Sequence, residues 1–238
     1  MKNFRQSVRM AGAAARANLL PGLLLQCLML AFFSLYIAHE GTRHFLGEVA
    51  RVKQEAGYGF SFLSYIIAGA VLPELLRIAF FQSGKATRRN LWLFLTAAPL
   101  WGLLGVIVDL LYRLQAVWFG TGHDWFTLFC KVLVDQLLFA PILSAPLIVG
   151  WLLLRDEGFR PSAWKQLFRA DFLFDKVFPV VVAGWCVWIP GVILVYSMPP
   201  LLQIPVAVFI QVFWVLILTT MEESLRTSKG VGVHGFEP

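Results

Sequence analysis

Charge is scarce in this chain. Asp, Glu, Lys and Arg make up 14% of its 238 residues, against 58% hydrophobic, and the mean hydropathy is +0.71. A soluble domain of this length cannot hide so much apolar surface, which excludes a wholly aqueous fold. Cysteine is also sparse. Cys27, Cys130 and Cys186 stand singly in different apolar stretches, so a disulfide framework and a cysteine metal site are excluded, leaving small buried side chains. His39, His44, His123 and His234 all fall outside the apolar stretches, which argues against a buried histidine site. There is no Gly-x-Ser-x-Gly, no His-Glu-x-x-His and no paired catalytic aspartates of the kind a membrane protease needs. These absences argue against an enzyme, and no motif calls for a cofactor or metal. No basic run is interleaved with aromatics on a soluble face, so nucleic acid is not an expected partner.

What is present is a set of six long apolar stretches: Leu19–Ala38, Phe60–Phe81, Leu91–Tyr112, Phe126–Leu154, Val177–Tyr196 and Leu201–Met221. Each reaches the roughly 20 residues that a helix needs to cross a hydrocarbon core about 30 Å thick. In lipid every backbone amide must be satisfied internally, which a helix does alone. The stretches are continuous rather than alternating, which disfavours a β-barrel. The expected fold is an all-α polytopic transmembrane bundle with six spans. It forms a single membrane domain over 1–238, with a basic flank at 1–18, the bundle at 19–221 and a mobile tail at 222–238 that has no apolar period.

Lys and Arg set the orientation. One side collects Lys2, Arg5, Arg9 and Arg16, then Lys85, Arg88 and Arg89, then Arg155, Arg160, Lys165, Arg169 and Lys176, and finally Arg226 and Lys229. The other has only Arg43, Arg51, Lys53 and Arg113. Both termini are therefore expected on the cytoplasmic or matrix side. This asymmetry also accounts for the net charge of +6 and the pI near 9.5. The acid-free first 18 residues read as the positive-inside flank of span one, with a mitochondrial presequence as the alternative.

Two connections carry helical patterns. In 39–59, Phe45, Leu46, Val49 and Val52 recur at helical spacing among Glu48, Arg51, Lys53 and Glu55, predicting a short amphipathic helix on the outer face. In the fourth loop, Ser162 is placed to cap a helix with Trp164, Leu167, Phe168 and Phe172 on one face and Lys165, Arg169 and Lys176 elsewhere. That segment belongs in the anionic inner interface, with a partner-binding surface as the alternative. Pro199 and Pro200 predict a tight hairpin between spans five and six.

Charges inside spans usually face the bundle interior or water. Three pairs stand one turn apart: Glu74 with Arg77, Asp109 with Arg113, and Lys131 with Asp135. Each pair is expected to neutralise itself in part. Span direction places Glu74 and Arg77 toward the inner surface and gathers Asp109, Arg113, Lys131, Asp135 and Gln136 at one level in the outer half. With two acids against two bases the cluster is nearly balanced, predicting weak selectivity for any path it lines. Pro141 and Pro146 should kink span four. Ala98, Gly102 and Gly105 in span three, and Ala183 and Gly184 in span five, permit close helix contact. Trp185 and Trp188, on one face at mid-span, call for N–H partners.

Lys131-Val-Leu-Val-Asp135-Gln136-Leu-Leu-Phe139-Ala140-Pro141 resembles the Lys-x3-Asp-Gln-x2-Phe-Ala-Pro segment of the Mpv seventeen / peroxisomal membrane protein twenty-two family. Trp185, Trp188 and Pro190 are similar to its later Trp-x2-Trp-Pro element, followed by Pro199 or Pro200 and by Trp214, and Gly105 to Tyr112 is similar to its Gly-x6-Tyr stretch. The chain departs from the pattern where Ile189 separates Trp188 from Pro190, where Pro73 and Glu74 stand for a Gly-Asp pair, where the Asn-Phe after Trp-Pro is lost, and in having the extra span one. The resemblance is thus to a divergent member, and a bacterial inner membrane is favoured over a mitochondrial inner or other organelle membrane. It implies a small integral membrane protein of a family in which some members are proposed to form weakly selective channels.

Two functions follow as expectations. One is a pore or channel for small solutes or ions lined by the outer cluster. The other is a non-conducting scaffold or assembly factor in which the same charges only hold helices together. The expected partners are the lipid bilayer, small solutes or ions, and a second copy of the chain.

Overall fold

The computed structural model describes residues 19–169 and 171–228. The basic flank at 1–18 and the last part of the expected tail, 229–238, lie outside the described residues. The described chain is all-helical, with eight helices: α1 Leu19–Ala38, α2 Glu40–Ala56, α3 Tyr58–Phe81, α4 Arg88–Phe119, α5 Trp125–Asp156, α6 Pro161–Leu167, α7 Phe172–Tyr196 and α8 Pro200–Ser228. Four of these, α3, α4, α5 and α7, are long and apolar enough to cross a membrane. A fifth candidate forms if Gly22–Ala38 and Glu40–Ala56, bent by 100° at their junction, count as one span, while Pro200–Leu216 is a shorter apolar helix. Many large apolar side chains point outward, among them Leu30, Leu63, Phe80, Val117, Phe126 and Ile142. These features are compatible with a multi-pass membrane protein.

α8 lies at the centre. Ile204, Val206, Ala207 and Ile210 are sealed in a core shared with Leu25 and Met29 of α1, Leu104 and Val108 of α4, and Val187, Val192 and Val195 of α7. The expected hairpin is present: α7 ends at Tyr196, Met198 is buried in the turn, and α8 starts at Pro200. α8 continues to Ser228, so the segment after Met221 begins as helix rather than tail.

Closest of all is the α3–α4 contact. A Cβ on Gly105 would stand 2.4 Å from the Ser61 carbonyl oxygen, and one on Gly102 would stand 2.4 Å from the Phe62 ring. Gly184 differs from the expectation for small residues, since among the described residues only its own helix's Trp188 lies within 4 Å of its Cβ position, at 3.8 Å.

Prolines remove backbone donors inside the helices, and neighbouring side chains supply replacements. Pro141 sits inside a π-helical segment, Val134–Ser144. In a π register the Gln136 carbonyl faces the nitrogen of residue 141, which has no hydrogen to give. Trp185 Nε1–H donates to that carbonyl at 3.0 Å. The Cys186 carbonyl faces Pro190 in the same way, and Gln26 Nε2–H donates to it at 2.8 Å. Trp188 has no such acceptor among the described residues and packs on the main core instead. Trp185→Phe should therefore lower stability by about 1 kcal/mol in thermal unfolding in detergent, because it orphans a buried carbonyl. An unchanged midpoint would mean that the carbonyl has another donor.

The amphipathic helices differ from expectation in register. α2 is capped by His39, whose Nδ1 accepts from the Thr42 backbone N–H at 3.1 Å. Its inward stripe is Leu46, Ala50 and Lys53, whereas Phe45 and Val52 are exposed. α6 starts after Arg160 and not at Ser162, because Pro161 at the first helical position is already set in helical φ. It is only seven residues long. Leu167 and Phe172 tuck against Val149, Leu153 and Trp185, leaving Trp164 and Phe168 exposed, so the four apolar residues do not share one face. At the start of α5, Asp124 Oδ1 accepts the Thr127 backbone N–H at 3.0 Å. That bond holds the carboxyl below the usual aspartate range. Its capping contribution is complete at neutral pH and is lost as pH falls through the lowered value.

Candidate functional site

The predicted polar residues fall at two ends of the bundle. At one end Glu74 and Arg77 form the expected pair one turn apart on α3. The second carboxylate oxygen of Glu74 accepts from Asn90 Nδ2 at 2.8 Å. Asn90 Oδ1 in turn accepts from the Thr87 backbone N–H at 2.9 Å and its hydroxyl at 2.7 Å, so the capping box that starts α4 also fixes Glu74. This site ties α3 to α4.

The opposite end gathers Asp109, Arg113, Lys131, Asp135 and Gln136, as the span directions predict. Their pairing is different. Asp109 is 3% exposed and engages three donors: Arg113 Nε at 3.0 Å, the Ser61 hydroxyl at 2.6 Å, and the Lys53 ammonium. Lys53 comes from α2, outside the long apolar helices, and is itself 3% exposed. It reaches back because the chain reverses at Gly57, which adopts φ +56°, a conformation that costs glycine little. Lys53 Nζ also donates to the Gly57 carbonyl at 2.9 Å. Arg113 is half exposed and lies 4.6 Å from the centroid of the Tyr58 ring.

Asp135 does not pair with Lys131. Its carboxylate accepts from the Tyr196 hydroxyl at 2.7 Å and from Gln136 Nε2 at 2.8 Å. Tyr196 is held in turn by Gln115 Nε2, which donates to its hydroxyl oxygen at 2.8 Å. The Tyr112 ring meets Tyr196 edge-on at 5.1 Å. Tyr65, buried on α3, belongs to the same core cluster as Tyr112 and Tyr196. The expected Lys131–Asp135 pair is overturned: the Asp135 carboxylate is directed to the Tyr196 hydroxyl, 61 residues away, and not to the lysine one turn back. Lys131 lies over the Tyr196 ring, 5.7 Å from its centroid.

The family-motif residues serve this arrangement. Phe139 packs on the main core, Ala140 and Pro141 lie in the π segment, Trp185 bonds its carbonyl, and Pro190 leaves the carbonyl that Gln26 takes. Sequence reasoning missed Lys53, Ser61, Tyr65, Gln115 and Tyr196 as members of the cluster. For Lys53 a signal was present, since it stands seven residues from Leu46 and four from Val49, on the apolar stripe of its helix. The tyrosines gave no such signal, because an aromatic in an apolar span reads as packing.

No protein-family model matches the chain, and no curated protein or solved structure matches it.

Proposed function

We propose that the chain is a six-span membrane protein with both termini on the cytoplasmic side of a bacterial inner membrane. In this reading the outer-end cluster borders a weakly selective path for small solutes. The observation that carries it is the convergence of buried ionisable and hydrogen-bonding side chains from α2, α3, α4, α5 and α7 on one level. Ionisable groups within apolar helices face an interior or a water-filled cavity and commonly mark a solute or proton route. The π segment that carries Asp135 and Gln136 supports the same reading, since such segments recur at functional sites. The motif resemblance to the Mpv seventeen / peroxisomal membrane protein twenty-two family points the same way.

A specific observation favours the scaffold as a second reading. Asp109 is held by three donors and Asp135 by two, and these bonds cross-tie α2, α3, α4, α5 and α7. One labelling series separates the readings and tests the topology. In a background without native cysteines, Lys85→Cys and Lys165→Cys should react with an impermeant thiol reagent from the cytoplasmic side only. Gln136→Cys should react with a small hydrophilic reagent added from outside, and slowly with a bulky one. Labelling of the Lys85 position from outside would sink the topology. An inert Gln136→Cys in a folded protein would favour the scaffold.

A further inference from the structure

The charges at the outer end do not balance. Lys53, Arg113 and Lys131 stand against Asp109 and Asp135, because α2 brings in a cation that the long apolar helices do not supply. Lys53 and Arg113 both pair with Asp109. Asp135 is held by neutral donors. Lys131 is left over. It is 2% exposed and makes neither a salt bridge nor a hydrogen bond among the described residues. Its contacts are the Tyr196 ring face and the longer-range charge of Asp124, whose Oδ1 is taken by the Thr127 backbone.

A desolvated ammonium with no acceptor is costly. The Tyr196 face offsets only part of that. An anion supplies what is missing. Lysine suits a transit site, because its ammonium is a point charge without the bidentate grip of arginine, and conduction needs binding weak enough to leave. Among the described residues the sealed, unpartnered polar side-chain atoms are Gln82 Oε1, Gln115 Oε1 and Gln211 Nε2, so the Lys131 ammonium, though nearly desolvated, is still reachable by a small ion.

The geometry points to Lys131 as an anion-binding point at the outer mouth, and to small anions such as chloride and inorganic phosphate as the solute class the path prefers. The preference rests on the pore reading, whereas the binding point does not require conduction. It replaces the near balance expected from Asp109, Arg113, Lys131 and Asp135 alone.

Two measurements on the full chain test it. In planar bilayers under a potassium chloride gradient, the reversal potential should lie toward the chloride equilibrium. Lys131→Arg should keep that preference, Lys131→Gln should remove it and Lys131→Glu should reverse it. In detergent, phosphate should raise the unfolding temperature of the wild type, and of Lys131→Arg, above that in a bulky sulfonate buffer of equal ionic strength. The rise should vanish in Lys131→Gln. Absence of current together with a Lys131-dependent phosphate effect would refute the pore and leave the anion site standing. A phosphate effect absent from the wild type, or a selectivity untouched by Lys131→Gln, would overturn the assignment. Should Lys131→Gln fail to fold, Lys131→Met, which keeps the length of the side chain without its charge, carries the same comparison.

Discussion

Asp109→Ala should lower stability by about 3–5 kcal/mol, the range expected when one partner of a buried ion pair is removed and the other charge is left behind. Lys53 is the group left behind. It is 3% exposed, so it cannot turn to water, and among the described residues the Gly57 carbonyl is its one remaining acceptor. Arg113 loses the same carboxylate but is half exposed and retains the Tyr58 ring. Arg113→Ala should therefore cost only about 0.2–1 kcal/mol. Lys53→Met combined with Asp109→Ala should be less destabilised than Asp109→Ala alone, since replacing both members of a buried pair by apolar groups is often neutral. Unfolding in detergent of the wild type, Asp109→Ala, Lys53→Met, their combination and Arg113→Ala measures these effects. If the Lys53 and Asp109 effects simply add, the two side chains are not coupled.

Gly105→Leu should be comparably severe. A single Cβ at this position would stand 2.4 Å from the Ser61 carbonyl oxygen and 2.8 Å from the Tyr65 Cβ. Backbone cannot swing aside as a side-chain tip can, so α3 and α4 must separate. Overpacking of a tight core costs roughly 1–3 kcal/mol and sometimes more, and here Ser61 and Tyr65 are displaced with the backbone. The Asp109 site, which uses the Ser61 hydroxyl, should loosen as well. Gly184→Ala is the matched control. Among the described residues nothing but Trp188 lies near, at 3.8 Å, so its unfolding midpoint should hold or rise slightly. Equal losses in Gly105→Leu and Gly184→Ala would mean that the α3–α4 approach is not the tight one.

These two sites also mark what the sequence can and cannot tell. Apolar length located the long helices, with ends up to seven residues off in α4 and α8, because hydropathy is a property of each segment by itself. Spacing of three or four residues identified Glu74 with Arg77 and Asp109 with Arg113, since helix geometry alone brings such residues together. The same rule failed for Lys131 and Asp135. Local spacing makes a pair available but does not say which partner wins, and Tyr196 arrives from another helix. Lys53 escaped for a related reason. A lysine in a connecting helix reads as solvated until the 100° bend at the end of α1 and the turn at Gly57 aim it into the bundle. The prolines were legible as perturbations, but the repairs by Trp185 and Gln26 depend on helices that pack against them from far along the chain.

If the cluster around Asp109, Lys131 and Asp135 borders a conducting path, planar bilayers containing the purified, folded protein should show discrete current steps, with an altered amplitude or selectivity in Asp135→Lys. A membrane that holds folded protein and passes no current across a range of voltages and pH would contradict it.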